Sequence, residues 1–114
     1  MTISQATPEL PVPDLDAAQA YFRDVLGFRI AWTRADWGIG AVARDGCAFF
    51  LRQSDQAGAG GVFWIFAEDI DAVFAELSAA GAEIVDPLAD REWGLRQFTI
   101  RDPYGNTLHF HHDL

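Results

Sequence analysis

Cysteine is almost missing from this chain of 114 residues: Cys47 is the one it has. No disulfide can form within the chain, so a disulfide-stapled secreted scaffold is excluded and a reducing, cytoplasmic location is expected. Basic residues are scarce too, 8 against 17 Asp and Glu, giving a formal net charge of −9. Sequence-independent binding to nucleic acid needs clustered positive charge, so a nucleic-acid partner is not expected. The acidic balance instead keeps the chain in solution and draws cationic ligands. No apolar run approaches the roughly 20 residues that cross a bilayer, so no membrane partner is expected. Residues 1–8 lack a basic n-region and an apolar core, and no signal peptide is expected there. The nucleophile elbow, the Walker loop and a glycine-rich dinucleotide turn after a strand are all absent. Cys47 sits in an apolar run with Arg44 and Arg52 as its nearest basic residues. It reads as a buried structural thiol rather than a nucleophile.

What the chain does have is a repeat. Half of its residues are apolar, enough for one domain over residues 1–114. Asp14-Leu15-Asp16-Ala17 and Asp69-Ile70-Asp71-Ala72 open two similar stretches. Helical periodicity follows each: Leu15, Ala18, Phe22, Val25 and Leu26 in the first, Ile70, Val73, Phe74 and Leu77 in the second. Asp14 and Asp69 are placed as N-caps, and Gly27 and Gly81 as left-handed stops. Further on, Arg44-Asp45-Gly46 precedes Cys47 to Leu51, and Arg101 to Gly105 precedes Thr107 to Phe110. Each pair looks like a turn between strands. The reading is two βαβββ modules, about 5–53 and 62–112, joined by a linker at 54–61 rich in Gly and Ala. The expected fold is α+β: a curved eight-stranded mixed sheet, helices outside, with a concave face suited to a small molecule. A domain this small gains core by pairing, so a homodimer is expected.

These residues carry a family resemblance over nearly the whole chain. Pro13-Asp14-Leu15 with Leu26-Gly27-Phe28, and Arg101-Asp102-Pro103-Tyr104-Gly105-Asn106 with Phe110, resemble the glyoxalase, bleomycin-resistance and dioxygenase (vicinal-oxygen-chelate) superfamily. Ala6-Thr7-Pro8-Glu9-Leu10, Trp93-Gly94 and the His109-Phe110 ending are similar to its bleomycin-binding resistance proteins. The stretch from Asp86 to Arg91 is shorter than that resemblance implies, which leaves less room for a ligand as large as bleomycin. The resemblance implies dimers in which modules from two chains build each cleft. It also implies metal ligands on the first and last strands of each module. Those positions fall seven residues before each capping Asp and four after each turn Gly: Thr7, Phe50, Val62 and His109. Two of the four have no lone pair to give, and about three protein ligands are needed for a site. No metal and no other cofactor is therefore expected, and with them no metal-dependent isomerase or dioxygenase chemistry. The alternative is a glyoxalase-like lyase or dioxygenase with relocated ligands, Glu9, His109 and His111, the two histidines sharing one strand face.

The aromatic residues point to binding. Trp37 lies between Asp36 and Gly38, and Trp93 between Glu92 and Gly94. Indoles in polar, glycine-containing loops are candidate platforms for planar ligands, and both match aromatic positions of the bleomycin-binding family. They are expected to share one cleft, across the dimer, with Trp64, Phe50, Val62, His109 and Glu9 as further lining. Glu9, Asp36 and Glu92 are the carboxylates that would favour a cation stacked on Trp. The expected function is sequestration of a planar, cationic antibiotic of the bleomycin type, without catalysis.

Overall fold

Both helices begin where an aspartate is available to cap them. In this computed structural model, which describes residues 1–56, 58 and 60–114, Asp14 precedes α1 (Leu15–Asp24) and Asp69 precedes α2 (Ile70–Ala79). The Asp14 carboxylate accepts from the Ala17 N–H at 3.1 Å, and that of Asp69 from the Ala72 N–H at 3.2 Å. Such a cap satisfies an N–H that the first turn leaves unpaired and stabilises by about 1 kcal/mol. Gly27 and Gly81 follow the helices with φ of 75° and 92° and reverse the chain. Ala57 and Ala59, in the stretch read as a linker, lie outside the described residues.

Among the described residues the strands are β1 (Glu9–Val12), β2 (Arg29–Arg34), β3 (Ile39–Arg44), β4 (Cys47–Gln53), β5 (Val62–Phe66), β6 (Glu83–Asp90), β7 (Leu95–Arg101) and β8 (Thr107–Asp113). The order is βαβββ twice. Hydrogen bonds join them as β1-β4-β3-β2 and β5-β8-β7-β6. In each sheet the first and last strands of the module are parallel and the other pairings antiparallel. Asp14 and Asp69 therefore hold equivalent places, as do Arg44 and Arg101 at the ends of β3 and β7. The eight expected strands form two four-stranded ladders, so the concave surface expected of one sheet is divided between two open faces.

Each helix covers one face of its own sheet, and the covered faces meet in one core. Phe22, Phe28 and Phe49 interlock edge-on and tilted in the first module; in the second, Phe98 meets Phe74 edge-on and stacks on Phe110. Phe49 meets Phe63 across the junction at 5.4 Å, and Tyr21 meets Tyr104 at 6.1 Å. Around them, Arg44 grips both Glu76 oxygens at 2.7 and 2.8 Å and donates to the Leu26 carbonyl. Burial of Tyr21 beside Asp102 pushes its phenol up to about 12, so it stays neutral.

The Arg101–Asn106 motif has a structural task. Asp102, buried, accepts from the N–H groups of Tyr104 and Asn106 and from the Asn106 amide. Asn106 in turn accepts from the Gly61 N–H at 2.9 Å, tying the β7–β8 turn to the entry of β5. With strand alternation, one face of each sheet enters the core and the other is left open. Adjacent residues on β4 test this. Phe49→Ala should cost about 3–5 kcal/mol, because the cavity opens among packed rings. Phe50→Ala, on the open face, should cost clearly less. Urea denaturation of the two variants measures both, and equal losses would contradict the assigned strand faces.

Candidate ligand-binding site

The open face of the first sheet is built in rows across strand register. Trp32, Ala41, Phe50 and Glu9 form one row, and Arg34, Ile39 and Arg52 the next. Trp32 leans on Phe50 with ring centroids 5.4 Å apart. Its backbone is pinned from the helix side by buried Gln19, whose amide donates to the Trp32 carbonyl at 3.0 Å and accepts from the Thr33 hydroxyl at 2.9 Å. Gly40 makes room for Gln19, since a Cβ there would run into its amide. Trp37 ends a 3₁₀ turn, Ala35–Trp37, closed by Gly38 with φ 66°. The Arg34 guanidinium lies 3.9 Å from the Trp37 ring centroid, covering one face of it. Trp32, Arg34, Trp37, Ile39 and Arg52 line a hollow of about 650 Å³.

The open face of the second sheet follows the same plan with different residues. Trp64, His109, Thr99 and Asp86 share a row, and Phe66, His111 and Gln97 the next. Trp64 stacks on His109 at 4.2 Å, and the His109 Nδ1 is 2.7 Å from the Thr99 hydroxyl. His111 stands edge-on to Trp64 and Phe66, its Nδ1 buried without a partner among the described residues. Trp93, in the β6–β7 turn, donates its indole N–H to buried Gln97 at 3.1 Å. Burial pulls the His109 imidazole below its ordinary range; Asp86 opposes that shift and His111 adds to it.

Trp37, Trp93 and Trp64 are 66%, 60% and 54% exposed, so all three indoles are open to a partner or ligand. Within one chain, however, Trp37 lies beside the first sheet and Trp93 beside the second. Val62 is exposed next to Thr107 on the same face as Trp64. Thr7 precedes β1 and, with Trp64 and Phe66, borders a second groove of about 880 Å³ between the modules. Cys47 also borders it, its thiol pushed up by burial.

Two expectations need correction. Within one chain, Glu9 does not meet His109 and His111: it lies on β1, paired with Arg52 at 3.0 Å, while the histidines lie on β8 of the other sheet. No group of three or more His, Cys, Asp or Glu placed to hold a metal occurs among the described residues. The carboxylates expected to favour a cation are also partly engaged. Asp36 pairs with Arg34 at 3.1 Å and Glu9 with Arg52, leaving Glu92 of the three. Sequence reasoning missed Trp32, Arg34 and Arg52. Their shared face could have been read from alternation in β2 and β4, but a register irregularity between Ile30 and Trp32 breaks the period where it matters.

Comparisons with known proteins agree with this arrangement. A model of the "Glyoxalase/Bleomycin resistance protein/Dioxygenase superfamily" matches residues 2–110. Among solved structures, TioX from Micromonospora sp. ML1 is 30% identical with a TM-score of 0.83, covering 97% of this chain and 99% of its own. A bleomycin-binding protein complexed with bleomycin is 21% identical, TM-score 0.83, covering 98% and 100%. The bleomycin-binding protein from bleomycin-producing Streptomyces verticillus, complexed with copper(II)-bleomycin, is 24% identical, TM-score 0.79, covering 96% of each chain. These last two likenesses show the fold. No curated protein sequence matches.

The His109 environment gives a measurable expectation. Followed by NMR, its imidazole should titrate below the ordinary value of about 6.5. Trp64→Ala, which uncovers the ring, should move it back upward. A lowered folded-state value means that the unfolded chain binds the proton more readily. The stability His109 contributes is thus present above about pH 6.5 and lost as pH falls through its folded-state value. An unshifted His109 would show that Trp64 does not cover it.

Proposed function

The chain belongs to the glyoxalase/bleomycin resistance protein/dioxygenase superfamily, and on that premise we propose that it is a non-catalytic binding protein that sequesters a planar antibiotic. The observation that carries this reading is the pair of open sheet faces bearing exposed Trp32, Trp37, Trp64 and Trp93. Flat rings stack on indole with little strain, and a stacked, desolvated aromatic anchors a ligand strongly. Binding alone lowers the free drug below the level its target needs. Similarity in fold to two bleomycin-binding proteins supports the same reading.

Metal is not required in this reading. At the positions that resemblance marks for ligands, Phe50 and Val62 have no donor atom and Thr7 offers only a hydroxyl. The His109 ring is engaged by Thr99 and Trp64. Such a set is a poor home for a divalent cation. A positive charge on the drug would be met at Glu92 beside Trp93, since Asp86 in the His109 row is paired with Arg91 at 3.2 Å. The single cysteine suits a reducing compartment, and we place the protein in the cytoplasm.

A homodimer completes the site. Exposed apolar faces of this kind mark interaction surfaces. Setting the first-sheet face of one chain against the second-sheet face of its partner brings Trp37 and Trp93 to the two walls of one cleft. Sedimentation at micromolar concentration should give a dimer, and a monomer would refute the shared cleft.

Binding is tested by calorimetric titration with bleomycin, in buffer containing EDTA. Trp37→Ala or Trp93→Ala should each weaken binding by about 1–3 kcal/mol, with a much smaller change in folding stability. Large stability losses with unchanged affinity would make these indoles packing residues.

A further inference from the structure

We infer that the first-sheet hollow is a subsite for a planar aromatic group bearing a carboxylate or similar anionic edge, with Arg34 and Arg52 as its specificity-determining pair. This rests on the reading of the open faces as a binding cleft and names the chemistry one wall selects. The charged residues lining the hollow are both arginines, and they share one row with Ile39 between them. Trp32 and Trp37 supply aromatic surface beside them. The chain has no lysine: all 8 of its basic residues are arginine. Guanidinium presents forked N–H donors that fit a carboxylate edge in the plane of an attached ring, which a point-like ammonium does not.

The present partners of these arginines do not block that role. Asp36 takes the Nε and one terminal nitrogen of Arg34, at 3.3 and 3.1 Å. Glu9 takes one terminal nitrogen of Arg52 at 3.0 Å. Both pairs are about half exposed at the side chains, where an ion pair is worth about 0–1 kcal/mol. Neither Asp36 nor Glu9 lines the hollow. A ligand carboxylate can take up the remaining N–H groups or displace these partners at small cost. Its ring is then held among Ile39, Trp32 and the face of Trp37 that Arg34 leaves free. The overall charge of −9 opposes an anion at long range. Beyond about 8–10 Å that repulsion is screened at physiological salt, so the two guanidiniums decide the local preference.

Three probes of equal shape separate the possibilities: naphthalene-2-carboxylate, naphthalene-2-carboxamide and 2-(aminomethyl)naphthalene. Calorimetric titration of the full chain should rank the carboxylate tightest, about tenfold over the amide, as expected of a charge-assisted hydrogen bond. Raising the salt to molar levels should shrink that ratio. Arg52→Gln should bring the carboxylate-to-amide ratio near one. Arg34→Gln should do the same, but it also uncovers Trp37, so the Arg52 variant is the cleaner test. Equal binding of the carboxylate and amide, or tightest binding of the ammonium, overturns the assignment while leaving stacking intact. A ratio unchanged in the Arg52 variant overturns it as well. Binding of bleomycin without binding of any naphthalene probe rejects the hollow as a subsite. Loss of both would remove the underlying reading of the cleft.

Discussion

Phe49 against Phe63 is the contact on which the arrangement of this protein turns. Neither βαβββ module can cover both faces of its four strands with a single ten-residue helix. The chain resolves this by joining the helix-side faces of the two modules into one core. Phe22, Phe28 and Phe49 come from one side, Phe63, Phe98 and Phe110 from the other. Burial of such rings contributes about 1.5–3 kcal/mol each, and the junction gathers several of them. The consequence is geometric. With alternation fixed by the pleat, residues that turn to this core send their neighbours to the opposite face, where Ala41, Gln97 and Thr99 on the central strands are covered by flanking side chains but the outer strands stay open. Val62, Trp64 and Phe66 are exposed on β5 while Phe63 and Ile65 between them turn inward.

Two buried polar networks give those open faces a defined shape. Gln19 reaches from α1 through the space left by Gly40 and holds β2 at Trp32 and Thr33. Asp102 and Asn106 satisfy one another and the turn around them, then fix Gly61 at the start of β5, two residues before Phe63 and three before Trp64. Buried amides and carboxylates left unpaired cost about 1–3 kcal/mol, so both networks hold only in one geometry. Strands held in this way present their open-face side chains from a fixed backbone, which lowers the ordering cost of binding.

The sequence made the scaffold legible and the site only in part. Helix caps at Asp14 and Asp69, the left-handed glycines after each helix and the paired Arg-Asp turns are local signals, and local chemistry determines them. The exposure of Trp37 and Trp93 followed from their polar loops. What could not be read was tertiary. Glu9 and the β8 histidines have compatible strand parity, yet they lie on separate sheets, because hydrogen bonding divides the strands into two ladders. Trp32 was hidden by the irregularity after Ile30. Asp36 and Glu9 looked like free carboxylates, since nothing in their local sequence says which arginine will cross a strand to meet them.

Duplication also explains why the two walls offer different chemistry on one backbone. Equivalent rows read Glu9, Phe50, Ala41, Trp32 in the first sheet and Trp64, His109, Thr99, Asp86 in the second. Each row carries one indole and one carboxylate, at opposite ends. In the first sheet the next row adds two guanidiniums; in the second it adds His111 and the amide of Gln97. A catalytic metal site generally takes about three donor side chains. Here the matching points have diverged to Phe50 in one half and His109 in the other, and each ring is packed against an indole. Divergence of this kind suits a ligand whose two sides differ.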